Sequence, residues 1–162
     1  MKKVIKKIIE VKKDGYVDII GASLLTLDQF EKARKVLPHC KREWWIMYNG
    51  KSPGEGKPLV VSRDLVTKDY DVTELLGVRP VLYLYSHDLK ISDKFEFAGH
   101  ILKVILEDDK HFSIAITKDV IGLSCFNENE ENNPNDYNNS EIKKYIDNWA
   151  EENGITGIND ID

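Results

Sequence analysis

Cysteine is scarce: Cys40 and Cys125 are the only two in a chain of 162 residues. Two thiols with no recognisable secretory leader ahead of them make no disulfide framework, and the expectation is a reducing, cytoplasmic compartment. No apolar run approaches the length that crosses a bilayer, so no membrane association is expected. Positive charge is also in deficit, 23 Lys and Arg against 28 Asp and Glu for a net charge of −5. Binding to nucleic acid needs a concentrated basic surface, so a nucleic-acid partner is not expected. Signatures of chemistry are missing too: there is no Gly-x-Ser-x-Gly elbow, no His-Glu-x-x-His, no Cys-x-x-Cys and no dinucleotide fingerprint. The one Cys–His adjacency is His39-Cys40, and sequence neighbours rarely point at one another. His39, His87, His100 and His111 lack ligand-like pair spacing, so neither a metal nor a cofactor is expected.

What is present is an ordinary globular composition, 41% hydrophobic and 31% charged, in a chain long enough to bury a core without disulfides. One α+β domain over residues 1–154 is expected, with residues 1–15 as a basic N-terminal arm or hairpin strand and 155–162 as an acidic tail. The arm carries six lysines among its first thirteen residues. A charged edge strand that resists edge-to-edge pairing accounts for them without an anionic partner. The centre of the pattern is Glu43-Trp44-Trp45-Ile46-Met47-Tyr48 together with Gly77-Val78-Arg79-Pro80-Val81-Leu82-Tyr83-Leu84-Tyr85, read as neighbouring central strands. Side chains alternate on a strand, so Trp44 and Trp45 point to opposite faces and the second needs its own covering layer. Arg79 inside an apolar run must find backbone carbonyls or a carboxylate, with a tryptophan to stack on, because an unpaired buried charge costs several kcal/mol.

Two amphipathic helices are expected, over about 26–37 and 139–152. The first opens on a capping box, Thr26 with Gln29, and carries the stripe Leu27, Phe30, Ala33, Val36. The second opens on Asn138 with Glu141 and carries Ile142, Tyr145, Ile146, Trp149. Between them a three-stranded meander is expected, with Phe95 and Phe97 on one face, a turn at Ala98-Gly99, and Phe112, Ile114 and Ile116 alternating inward. A four-residue second turn sets Leu106 opposite His111. The sheet is therefore mostly antiparallel.

Residues 49–58, rich in Gly, Pro and Ser, form a surface loop whose Gly-Lys-Ser lacks the first glycine of a phosphate-binding loop. A loop of this length between rigid strands is where a partner would be contacted. The candidate binding residues are accordingly Trp44, Trp45, Tyr48, Asn49, Lys51, Lys57 and Arg79, and no catalytic or metal-binding residue is assigned. The stretch 127–136 is dense in oxygen ligands but lacks EF-hand spacing, and reads as a solvated acidic loop.

A Thr-led helix, a double-tryptophan strand, a Gly/Asn loop and Gly77-Val78-Arg79-Pro80 resemble an uncharacterised domain family of Firmicutes and their phages, whose strand usually reads WWLRS. Here it reads Trp44-Trp45-Ile46-Met47-Tyr48, without the arginine and serine. Residues 94–100, Lys94-Phe95-Glu96-Phe97-Ala98-Gly99-His100, and the helix start at 138–146 are similar to that family's second signature, YxxSxIRxxLN. The resemblance implies a scaffold related to C-type lectins and formylglycine-generating enzymes, although neither cysteine matches the latter's chemistry. It implies a phage or mobile-element accessory protein in the host cytoplasm, a non-catalytic module binding a protein, with a host or defence component as target. The alternatives are a virion or receptor-binding component and a degenerate enzyme using Arg79, His100 or Cys40.

Overall fold

Adjacent tryptophans on one strand require two cores, and the chain builds two. A computed structural model describes residues 17–47, 58–65, 67–68, 71–86, 89–107, 112–128 and 137–155. In order these form β1 (Val17–Leu24), α1 (Leu27–Ala33), β2 (Trp44–Met47), β3 (Pro58–Val61), β4 (Thr67–Lys68), β5 (Leu76–Val78), β6 (Pro80–Ser86), β7 (Lys94–Phe97), β8 (His100–Glu107), β9 (Phe112–Thr117), β10 (Gly122–Ser124), a 3-10 turn (Tyr137–Asn139) and α2 (Glu141–Glu152). The expected hairpin arm at 4–11 lies outside the described residues.

The strands make two five-stranded sheets, ordered β1-β6-β9-β8-β7 and β10-β5-β2-β3-β4. Every ladder is antiparallel except β2 with β5, which meet in parallel at Trp44 and Gly77. The fold is α+β with two helices, as the residue pattern indicates. The run from Gly77 to Tyr85 is not one strand beside β2, however. It breaks at Arg79, where the chain leaves the second sheet and Pro80 opens a strand of the first. Proline tolerates that place because a strand's first residue need not donate to the ladder. Gly77 is required where β5 meets β2: a Cβ there would stand 2.8 Å from the Glu43 carbonyl oxygen and collide with Val120.

Alternation sorts the side chains. Trp45, Val60 and Val78 join Leu82, Leu84, Leu102, Val104 and Ala115 in one core, closed by Ile142, Ile146 and Ala150 of α2. Trp44, Ile46 and Val61 join Val81, Ile105 and Ile116 in the other, closed by Phe30 and Ala33 of α1 and by Leu37. In β8 the register slips between Val104 and Leu106, so the consecutive Ile105 and Leu106 both pack into the α1 core, as a β-bulge permits. The same register pairs Leu106 with Ile114 rather than His111. Phe112, expected inward, sits at the start of β9 and is 39% exposed.

Both halves of the Thr26 capping box form: Gln29 N donates to Thr26 Oγ1 at 3.2 Å and Thr26 N donates to Gln29 Oε1 at 3.0 Å. The helix proper ends at Ala33, with turns continuing to Val36. The second helix is capped by Ser140, not Asn138. Ser140 Oγ accepts from Lys143 N at 3.1 Å, and Asn138 lies within the 3-10 turn. Ile155, at the start of the expected acidic tail, is buried in the α2 core.

Candidate binding surfaces

Arg79 is the fixed point between the sheets. It has no exposed surface, and its Nε donates to the Thr117 carbonyl at 2.7 Å. Nη2 donates to the carbonyls of Pro38 at 2.5 Å and Lys118 at 3.0 Å, while the guanidinium carbon lies 4.7 Å from the centre of the Trp44 ring. Carbonyl dipoles and an aromatic face are what a planar, weakly hydrated cation accepts in place of water. Burial lowers its pKa from the ordinary arginine value to about 10, opposed by the nearby Cys40 and Asp119, so it stays charged at neutral pH. Arg79 Nη1, Thr117 Oγ1 and Trp44 Nε1 are buried without a hydrogen-bond partner among the described residues. Arg79 thus ties the segment after α1, the end of β9 and the double-tryptophan strand together.

A groove of about 430 Å³ runs between α1 and the neighbouring sheet face. Tyr83, Leu106, Phe112 and Ile114 contribute its apolar lining, and Gln29 and Lys32 its helix side. Gln29 serves twice, since its Nε2 also donates to Tyr83 Oη at 3.4 Å and so fixes the groove's inner wall. Phe112 pairs across the strands with Tyr85, their rings edge-to-face at 5.2 Å, which holds an exposed aromatic in one orientation. Asp28 and Lys32 form an ion pair of 3.1 Å on the rim. The result is a preformed, mainly apolar cleft with a few polar groups at its margin, the usual character of a binding site.

The residues expected to bind are dispersed. Trp44 and Trp45 both have zero exposed surface, and a side chain without accessible surface touches no partner. As surface anchors they are corrected to scaffold: Trp45 Nε1 donates to the Ser124 carbonyl at 2.9 Å, and Trp44 lies under Arg79. Tyr48, Asn49, Lys51 and Lys57 lie outside the described residues, as do His87, His111 and most of the acidic stretch 127–136. The groups offered for chemistry are not assembled either. His100 rests against Trp149, ring centres 6.5 Å apart, and Trp149 packs on the α2 core. Arg79 and Cys40 belong to the α1 side. Both cysteines are free, and burial pushes the Cys125 thiol upward, away from ready ionisation. Among the described residues no group of three or more His, Cys, Asp or Glu could hold a metal ion, and no helix is long and apolar enough to cross a membrane.

Sequence reasoning missed two features. Alternation along β9 predicts an interior Phe112, and no motif marks Lys94, Lys103 and Lys118, which line one pocket with His39. The turn at Ala98-Gly99 held the clue to the lysines, because a two-residue turn there sets Lys94 opposite Lys103. Comparison with known proteins finds no matching family model, no matching curated protein and no matching solved structure.

Proposed function

We propose that the chain is a non-catalytic protein-binding module, and that the Phe112 groove is where its partner docks. The groove carries this reading: a strand that could bury its aromatic instead presents it, oriented by Tyr85, over Tyr83, Leu106 and Ile114. Tryptophan, tyrosine and other aromatics held in place at low entropy cost are the side chains that supply binding energy at interfaces. The occupant is a protein segment that sets an apolar side chain against Phe112 and a polar flank against Lys32 and Glu107. The double-tryptophan and Gly-Val-Arg-Pro resemblance supports a phage or mobile-element accessory protein acting in the host cytoplasm, with a host or defence protein as partner. The lectin-like scaffold rests on the same residues.

The test is capture with the native chain from bacterial lysate, followed by reconstitution with the purified captured protein. Phe112→Asp is expected to weaken that binary complex by more than about tenfold. Leu75→Ser, at a residue 66% exposed and not lining the groove, is expected to leave it unchanged. Circular dichroism verifies that both variants fold. A binary complex indifferent to Phe112→Asp, or no binary complex at all, overturns the reading.

A further inference from the structure

A second site lies on the same sheet face as the groove but at the opposite end of β8, and its chemistry is different. Lys94 and Lys103 are direct cross-strand partners on β7 and β8. Like charges placed directly opposite are destabilising in a sheet. Here they are also partly buried: desolvation, and then the charge of Lys94, lower the pKa of Lys103. Lys118 and His39 join them around a pocket of about 280 Å³, with Ile101 and Pro38 completing the wall. None of the three lysines has an ion-pair partner among the described residues. Glu96, two residues from Lys94 on the same strand, is exposed and makes no ion pair with either lysine there.

The wall is tied to the interior by what lies beneath it. The carbonyls of Pro38 and Lys118, two residues of this pocket, are the acceptors for Arg79 Nη2. That buried guanidinium is balanced by carbonyl dipoles, with the Asp119 carboxylate also favouring its charge, and its Nη1 has no hydrogen-bond partner among the described residues. Three lysines thus line one pocket, with the guanidinium and its neighbour Asp119 beneath the wall, in a chain whose net charge is −5. Such a local reversal of sign concentrates anions.

We propose that this pocket binds a small phosphate-bearing molecule, with the ammonium groups of Lys94, Lys103 and Lys118 as ligands to the phosphate oxygens. Lysine serves phosphate as a point charge with rotatable donors, which suits three stems converging from different elements. A polynucleotide is disfavoured, because it needs a basic surface along its backbone, whereas these charges meet in a cavity and the chain as a whole carries a net negative charge. The volume lies near the small end of ligand pockets, about 300 Å³, which suits a phosphate on a compact body. This site goes beyond the protein-binding reading and stands without it.

The experiment is a thermal-unfolding series on the full chain with inorganic phosphate and pyrophosphate, the ionic strength held constant with chloride. The native chain and Lys144→Gln, which alters an exposed lysine on α2, are expected to show the same saturable rise in midpoint. In Lys103→Gln and Lys94→Gln the phosphate concentration at half-effect is expected to increase about tenfold or more. Without phosphate, the same two variants are expected to melt above the native chain, since the cross-strand repulsion is gone; a merely solvated pair would give no such rise. Competition with a fluorescent single-stranded oligonucleotide separates the sources. Pyrophosphate that fails to displace a bound oligonucleotide, a rise equal in all four proteins, or no rise in the native chain overturns the proposal.

Discussion

Arg79 is a charge held away from solvent, and acceptors rather than a counter-ion decide whether it stabilises. Its pKa of about 10, lowered from the ordinary arginine value, means that the folded state disfavours the charged form relative to the unfolded chain. The sign follows: between those values the unfolded state binds more protons, so this group makes the protein relatively more stable as pH rises through that range. Below it the desolvation cost is constant, and the three carbonyl contacts and the Trp44 face offset it. Arg79→Lys keeps the charge but not the fork. One ammonium cannot satisfy the Thr117, Pro38 and Lys118 carbonyls from the positions of Nε and Nη2 together, and it loses the flat face that covers Trp44. The expected loss is about 2–4 kcal/mol in urea unfolding at neutral pH, with secondary structure retained. A loss within the range of an ordinary surface substitution, about 0.5 kcal/mol, would mean that the corner between the sheets holds without Arg79.

At the level of elements, local chemistry was legible and long-range partnership was not. The Thr26–Gln29 box could be read because both of its bonds close within one turn. Asn138 and Ser140 are both good caps, and only the 3-10 turn over Tyr137–Asn139, which takes up Asn138 itself, decides for serine. Nothing local marks Arg79 as the point where an unbroken apolar run changes sheets, since Pro80 opens a strand as readily as it interrupts one. Phe112 was read as interior because alternation assigns a face. β9 has cover on both faces, so alternation alone names no solvent side. The β7–β8 turn offers a direct test. Ala98 and Gly99 have φ of 55° and 78°, the double left-handed geometry of a type I′ turn, in which glycine is at ease and alanine is not. Ala98→Asn supplies the residue favoured there and is expected to stabilise by about 0.5–1 kcal/mol, read from the urea midpoint at unchanged slope. Destabilisation would mean that the alanine methyl's contact with the α2 core outweighs its backbone strain.

Across the whole molecule the two cores are not two folding units. β6 sends Val81 to the α1 core and Leu82 to the α2 core, and β9 sends Ile116 to one and Ala115 to the other. β2 does the same with Trp44 and Trp45. No surface separates the cores without cutting through these strands, so neither can melt while the other keeps its packing. The adjacent tryptophans are natural reporters of this, one in each core. Trp44→Phe leaves Trp45 to report the α2 core, and Trp45→Phe leaves Trp44 to report the α1 core, with Trp149 common to both. In each variant, urea unfolding followed by fluorescence and by far-ultraviolet circular dichroism is expected to coincide in midpoint and slope, as a single cooperative transition requires. Fluorescence preceding the loss of secondary structure in one variant only would assign that core an independent melting step. The shared strands would then be less rigid than alternation of side chains between two packed layers implies.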